Sequence, residues 1–315
     1  MKTIKIKHPY KKTEIVNEDI VLILGYFDGV HLAHQEVIKE GVRIGRERNL
    51  KVALMTFNRH PSIVYRKINA GQYASLTQPE QKEKIIESLG VDILYEVFFN
   101  SEFGNLPPQE FVDRYIVGWH AKVIVAGFDY TYGKADVASM AQLSDYAKGR
   151  FEIVKVGEAK ESGKTISSTL IRQYIKNGEV EKANAMLGYS YETLGFVIHG
   201  DARGRELGYP TANIYSNPYT FLPGVGIYAV WFIVKGKRYM GMASIGYNVT
   251  FKDQSELSVE VNVLDFNEEI YGDDVKIEWV AYLRGEVQFD GAQGLIDQLQ
   301  KDEEATRKIL EMQKD

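Results

Sequence analysis

The pattern of apolar residues changes once along the chain, near residue 184, and this change constrains the fold more than any other feature. Before it, strand-length apolar runs alternate with helix-length segments. After it, strand-length runs follow one another with only short turns between them. Consecutive parallel strands need a crossover, usually a helix, whereas antiparallel strands join through tight turns. The 315 residues therefore divide into two domains, 1–184 and 185–315, each long enough to bury its own core.

In the first domain, Ile20 to Leu24 is a continuous apolar run, as expected of a strand buried on both faces of a parallel sheet. A glycine-bearing loop follows, with Gly25, Asp28 and Gly29. Val37, Ile38, Val42 and Ile44 then recur at helical spacing. Further strands are predicted at 52–57, 92–99 and 122–128, and a helix at 81–90 ends on Gly90. The expected fold is an α/β, Rossmann-like, doubly wound parallel sheet with ligands at the carboxyl ends of its strands. His31 and His34 stand three apart at the start of the first helix, hence on one side of it, where free N–H groups favour an anion. Two imidazoles facing a phosphate can stabilise charge that develops at phosphorus. The alternative is a pair of surface histidines; a metal site would need further ligands that no nearby cluster supplies.

In the second domain, strands are predicted near 192–199, 226–235, 237–247, 257–265 and 275–284, which points to a small antiparallel β-barrel. A closing helix would place Ala292, Leu295, Ile296 and Leu299 on one face. The chemistry concentrates in 195–214. Gly200, Gly204 and Gly208 recur every fourth residue, Arg203 and Arg205 lie between them, and Pro210-Thr211-Ala212-Asn213 follows. Such a loop suits a phosphate chain, and the Thr211 hydroxyl and Asn213 carbonyl are hard oxygen donors of the kind Mg²⁺ accepts. Glu260 and Asn262 point the same way from their strand. On residues alone, Glu260 reads as a glutamate on a solvated strand face.

No cysteine is present, which excludes disulfides, thiolate catalysis and Cys-based metal sites. The net charge of −5 gives no basic stripe for general nucleic-acid binding. No apolar stretch approaches the roughly 20 residues that span a bilayer, and the first residues lack a signal-peptide core. A cytoplasmic protein without nucleic-acid or membrane partners is expected.

The order of residues adds a resemblance. Gly200 to Asn213 resembles the G-x-x-x-G-R-x-L-G-[YF]-P-T-A-N signature of bacterial riboflavin kinases, and Ser258 to Phe266 followed by Ile270-Tyr271-Gly272 is similar to a second segment of that family. In the first domain Gly25 to His34 resembles G-x-F-D-G-V-H-x-G-H of the FAD synthetase module. Thr56 to Pro61, Ala126 to Lys134 and Ile166 to Arg172 are similar to further segments of it, in the same order. The chain thus resembles the prokaryotic bifunctional riboflavin kinase/FAD synthetases over nearly its whole length. The resemblance implies ATP, riboflavin and FMN as substrates, with Mg²⁺. It implies Glu260 as the kinase base, a place for Asp129 in the nucleotide or flavin pocket, and Ser167 and Ser168 capping a helix that offers Arg172 to phosphate. It also implies a flavin-facing Arg284. Four positions depart from the pattern: Ala33 stands for the glycine between the histidines, Asn58-Arg59 and Ala138-Ser139 differ from their segments, and Val249 replaces a usual proline. The first three leave open a kinase with a weak or silent adenylyl-transferring half. A non-catalytic flavin-binding regulator is the remaining alternative.

Overall fold

A computed structural model describes residues 1–67, 74–200, 208–247, 257–289 and 291–312. The chain forms two compact units, Met1–Ser167 and Ser168–Asp315.

The first unit is built on a six-stranded parallel sheet of β1 (Lys2–Ile6), β2 (Ile20–Leu24), β3 (Lys51–Phe57), β4 (Ile93–Val97), β5 (Ala121–Gly127) and β6 (Glu152–Val156), in the order β1-β4-β3-β2-β5-β6. Helices α1 (Leu32–Arg48), α2 (Ser62–Tyr65), α3 (Pro79–Ser88), α4 (Ser101–Gly104), α5 (Pro108–Phe111) and α6 (Leu143–Ala147) connect the strands. Successive residues of a strand face opposite sides, and β2 shows why its run is apolar throughout. Ile20, Leu22 and Leu24 enter a core with Tyr95, Phe111 and Trp119, whereas Val21 and Ile23 enter a second core with Val37, Ile38 and Ile44 of α1. The predicted strands are present. The edge strands β1 and β6 were not predicted, because half-exposed Lys-Thr-Ile-Lys-Ile and Glu-Ile-Val-Lys-Val carry too little apolar contrast.

The order of strands fixes where a ligand can enter. From β2 the chain moves outward through β3 to β4, while β5 lies on the other side of β2. The crevice of such a sheet opens at this reversal, outside the carboxyl ends of β2 and β5. The loop after β2 carries Asp28 to His31, and the loop after β5 carries Asp129. A small antiparallel ribbon, β7 (Lys160–Glu161) and β8 (Lys164–Thr165), closes the unit.

The second unit begins with α7 (Ser168–Lys176) and α8 (Val180–Leu187) and continues as a closed antiparallel barrel. Its strands are β9 (Tyr191–Ile198), β10 (Thr211–Ser216), β11 (Gly226–Val234), β12 (Lys237–Tyr247), β13 (Leu257–Val263) and β14 (Asp274–Arg284), in the order β10-β13-β12-β11-β14-β9. The compact unit starts before the strand pattern does because the two helices join the barrel. Asn184 donates from Nδ2 to the Trp279 carbonyl at 2.8 Å and accepts from the Tyr191 N–H at 2.8 Å, and Gly224 N–H reaches Ile175 O at 3.0 Å.

Two expectations for this unit change. Thr211 to Asn213, read as loop, lies on a sixth strand, β10, whose pairing with both β9 and β13 closes the barrel. The terminal helix α9 (Ala292–Glu311) does pack on the barrel, in a core of Ala229, Trp231, Val280, Ala281 and Leu310. However, Ala292 is exposed and the most deeply buried positions of α9 are Asp302, Thr306 and Leu310. Two of these are polar, so an apolar pattern could not mark them.

Candidate active sites

In the first unit the loop after β2 is tightly constrained. Phe27 (φ 55°), Gly29 (φ 78°) and Val30 (φ 35°) all lie in the left-handed region, an unusual conformation for a β-branched residue. Gly25 makes room for the Phe27 ring, which a β-carbon there would meet at 2.6 Å. The loop is held from the stretch before α3: Leu76 N–H donates to Asp28 Oδ1 at 3.0 Å, and Gly29 N–H donates to Thr77 Oγ1 at 3.2 Å. Asp28 is buried, so its carboxylate acts as a structural acceptor.

The chain then enters α1 through His31, which is the N-cap. Its Nδ1 accepts the His34 N–H at 3.3 Å, and the two rings stack at 3.6 Å between centroids with 15° between planes. Phe27 packs edge-on against His34 at 5.3 Å. The spacing of three thus produces one paired surface at a helix start. Burial pushes His31 down to about 4. His34 falls well below the usual range for the same reason, reinforced by the charges of His31 and Lys82. Both imidazoles are neutral at pH 7. His34 Nδ1 is buried without a hydrogen-bond partner among the described residues. Ala33 sits half-buried between them in the first turn.

Asp129 is exposed at the end of β5, beside Gly127. Asn58, at a position that departs from the family pattern, ties the ends of β3 and β4 by accepting the Phe99 N–H at 2.9 Å. Ser167 ends the first unit. Ser168 opens α7 in the second, where Arg172 reaches the Ser168 carbonyl at 3.5 Å and lies 5.9 Å over the Phe221 ring.

In the barrel, β10 and β13 run antiparallel with Asn213 directly opposite Glu260 and Thr211 opposite Asn262. Because side chains alternate, Val259 and Val261 fill the core while Glu260 shares a face with Thr211 and Asn213. The Thr211 hydroxyl donates to Glu260 Oε2 at 3.1 Å, and Asn262 Nδ2 donates to Pro210 O at 2.8 Å. Gly200 lies so close that a β-carbon on it would stand 2.0 Å from Asn213 Nδ2, which explains a glycine there. Gly208 has φ 81°, the second position where the motif needs glycine for its backbone. Next to Gly200, His199 stacks on Tyr271 at 3.8 Å. Gly204, Arg203, Arg205 and Val249 lie outside the described residues.

Thr211, Asn213 and Glu260 bring a hydroxyl, an amide carbonyl and a carboxylate together from two neighbouring strands. This set of hard oxygen donors fits a divalent cation that keeps phosphate and water ligands. It does not resemble an all-protein metal cage, and among the described residues no group of three His, Cys, Asp or Glu could hold a metal ion. Arg284, the residue expected on the flavin side, is held by Asp302 of α9. Nε donates to both Asp302 oxygens at 3.1 and 3.0 Å, Nη2 donates to Asp302 Oδ2 at 2.6 Å, and Nη1 donates to Gly285 O at 3.0 Å. Its fork ties β14 to α9.

Sequence reasoning missed Lys82, which it placed on a helix without a role. Its burial beside the carboxyl ends of β2 and β3 is a tertiary fact; the only trace in the sequence is a lysine that the apolar stripe of α3 does not exclude.

A parallel sheet with an anion-facing helix start, and a barrel with a hydroxyl, amide and carboxylate cluster, define a two-module enzyme of nucleotide chemistry. Residues 13–170 match the family model described as FAD synthetase and residues 187–310 match that described as riboflavin kinase. The chain belongs to the bifunctional riboflavin kinase/FMN adenylyltransferase family. It is 50% identical to the protein of that name from Listeria monocytogenes, covering 98% of both chains, and 43% identical to that of Bacillus subtilis over 100% of both. A crystal structure from Streptococcus pneumoniae, titled as a macrolide-efflux protein, matches with a TM-score of 0.89 and 39% identity over 96% of this chain and 99% of that one. Among the described residues, no helix is long and apolar enough to cross a membrane.

Proposed function

We propose that the chain converts riboflavin to FMN in the barrel unit and FMN to FAD in the parallel-sheet unit, each at the expense of ATP. Residues 185–315 carry the kinase and 1–184 the adenylyltransferase. The observation that carries the kinase assignment is the register that sets Asn213 against Glu260 with Thr211 hydrogen-bonded to the carboxylate. Glu260 takes the proton from the ribityl 5′-hydroxyl as that oxygen attacks the γ-phosphorus of ATP, and ADP leaves. Thr211 holds the carboxylate, and Gly200 and Gly208 let the loop approach phosphate closely, with Arg205 supplying charge. Thr211 and Asn213 would hold Mg²⁺, which when bound with ATP spreads the charge of the transferring phosphoryl group.

In the other unit a phosphate oxygen of FMN attacks the α-phosphorus of ATP and pyrophosphate leaves. His31 and His34, neutral and paired at the start of α1, orient the phosphate and stabilise the charge developing there. Gly25, Asp28 and Gly29 shape the nucleotide loop, and Asp129 and Ser167 complete binding of nucleotide. Arg284 supports the flavin end of the kinase by fixing α9. The reactants are small molecules, and we assign the protein to the cytoplasm without nucleic-acid or membrane partners.

Incubation with ATP, Mg²⁺ and riboflavin, with FMN and FAD separated by chromatography, tests the proposal. FMN should appear first and FAD after it; ATP consumption without either product would refute both assignments.

A further inference from the structure

The loop that carries the histidine pair holds three left-handed residues, one of them β-branched, and such conformations persist only where the surroundings over-determine them. The constraint comes from the stretch 76–82. Leu76 and Thr77 secure Asp28 and Gly29, as described above. Lys82, 8% exposed, does more: its Nζ donates to Tyr26 O at 3.3 Å, to Thr56 Oγ1 at 3.2 Å and to Phe57 O at 3.4 Å, and it lies 4.8 Å over the Tyr26 ring. Thr56 Oγ1 in turn donates to Tyr26 O at 2.8 Å. One ammonium therefore joins the ends of β2 and β3, on the side of the sheet where the nucleotide enters.

Among the described residues the hydrogen-bond partners of Lys82 are neutral oxygens, so its counter-charges act on it without a hydrogen bond to its ammonium. The charged groups around it are Asp28 from the loop and Glu96 from β4, which pull its basicity up, and burial, the larger influence, which lowers it to about 8. It is thus charged at neutral pH. Across from it on α1 stand His34 and His31, and the Lys82 charge is one cause of the low basicity of His34.

We propose that Lys82 is a positioning residue for adenylyl transfer, clamping the ends of β2 and β3 so that the strained loop presents His31 and His34 in register. The proposal rests on the assignment of adenylyl transfer to this unit. Lys82 touches no reacting atom; it acts through Tyr26 and through its field on His34.

The test measures FAD formation from supplied FMN across pH 5 to 9 in the full chain, for wild type, Lys82→Met and Lys82→Arg, with FMN formation from riboflavin as the control on the other unit. Lys82→Met keeps length and loses charge. It should lower kcat for FAD by roughly 10²-fold, the order expected for about 1 Å of misplacement, and move the acid limb of the profile to higher pH as His34 becomes more basic. Lys82→Arg should lose rate through the changed clamp while leaving the acid limb in place. FMN formation should be unchanged in both. A purely structural lysine would lower rates without moving the limb in either variant, and that result overturns the proposal, as does FAD formation at the wild-type rate throughout. Should Lys82→Met fail to fold, Lys82→Gln, which keeps a hydrogen-bond donor and loses the charge, takes its place: wild-type kcat, or an acid limb left where wild type has it, sinks the idea. A wild type that makes no FAD at any pH would instead refute the underlying assignment.

Discussion

Gly200→Ala offers the sharpest test of how the kinase site is assembled. The added β-carbon would stand 2.0, 2.4 and 2.7 Å from Nδ2, Cγ and Oδ1 of Asn213, whereas unstrained contacts begin at about 3.5 Å. Something must move by about 1 Å or more, and the atoms in the way are the free end of one side chain. The amide can be pushed off its rotamer at a cost of about 0.5–1.5 kcal/mol, so folding is little affected. Function is affected more, because the amide is then displaced from its place opposite Glu260. A displacement of that size costs on the order of 10²-fold in rate. The assay follows FMN formation from riboflavin with saturating ATP, FAD formation from supplied FMN, and the melting temperature. We expect the first to fall about 100-fold and the other two to stay close to wild type. FMN formation at the wild-type rate would refute the reasoning, since it would mean that Asn213 can leave its position without consequence.

The remaining predictions concern other residues of the two sites and the fold around them. Glu260→Gln should lower FMN formation by roughly 10²–10⁴-fold, the range for a lost general base, with FAD formation from FMN retained; product chromatography checks both. Ala33→Gly should raise the rate of FAD formation by relieving the approach to phosphate, and His34→Ala should abolish it, with FMN formation steady in each; equal rates in wild type and Ala33→Gly would show the methyl to be harmless. Asp302→Ala leaves the Arg284 guanidinium, only 18% exposed, without its carboxylate, and should destabilise the second unit by about 3–5 kcal/mol, read as a lower denaturation midpoint. Finally, His31 is neutral when folded because its folded pKa, about 4, lies below the unfolded value of 6.5. The unfolded chain therefore takes up the proton first as pH falls. The stability associated with neutral His31 is intact above about 6.5 and lost towards 4, at about 1.4 kcal/mol per pH unit within that window. His31→Gln should flatten the slope of unfolding free energy against pH there.

Much of this protein is legible in local pattern. The Ile20–Leu24 run predicts a strand buried on both faces because a parallel sheet covers both of its sides, and two separate cores do flank β2. A spacing of three at a helix start predicts that His31 and His34 share a side, and their rings stack. The glycines of 200–208 read as letting the backbone approach an anion; what the structure adds is that Gly200 packs against the Asn213 amide and that Gly208 has a left-handed backbone. For the strand and the histidine pair the signal lies within a few residues, where helix and strand periodicity dictate which side chains are neighbours.

What tertiary structure alone decided lies between distant segments. No periodicity says that Asn213 faces Glu260, because the register of β10 against β13 depends on closing a barrel whose partners are far apart in sequence. The partner of Arg284 is Asp302, a carboxylate that an apolar pattern would never assign to a buried helix face. Lys82 looks like any lysine on an amphipathic helix until α3 docks against the ends of β2 and β3 and takes water from it. Local propensity sets which way a residue points within its own element, but burial and partnership are properties of two elements at once, and only the packed chain contains both.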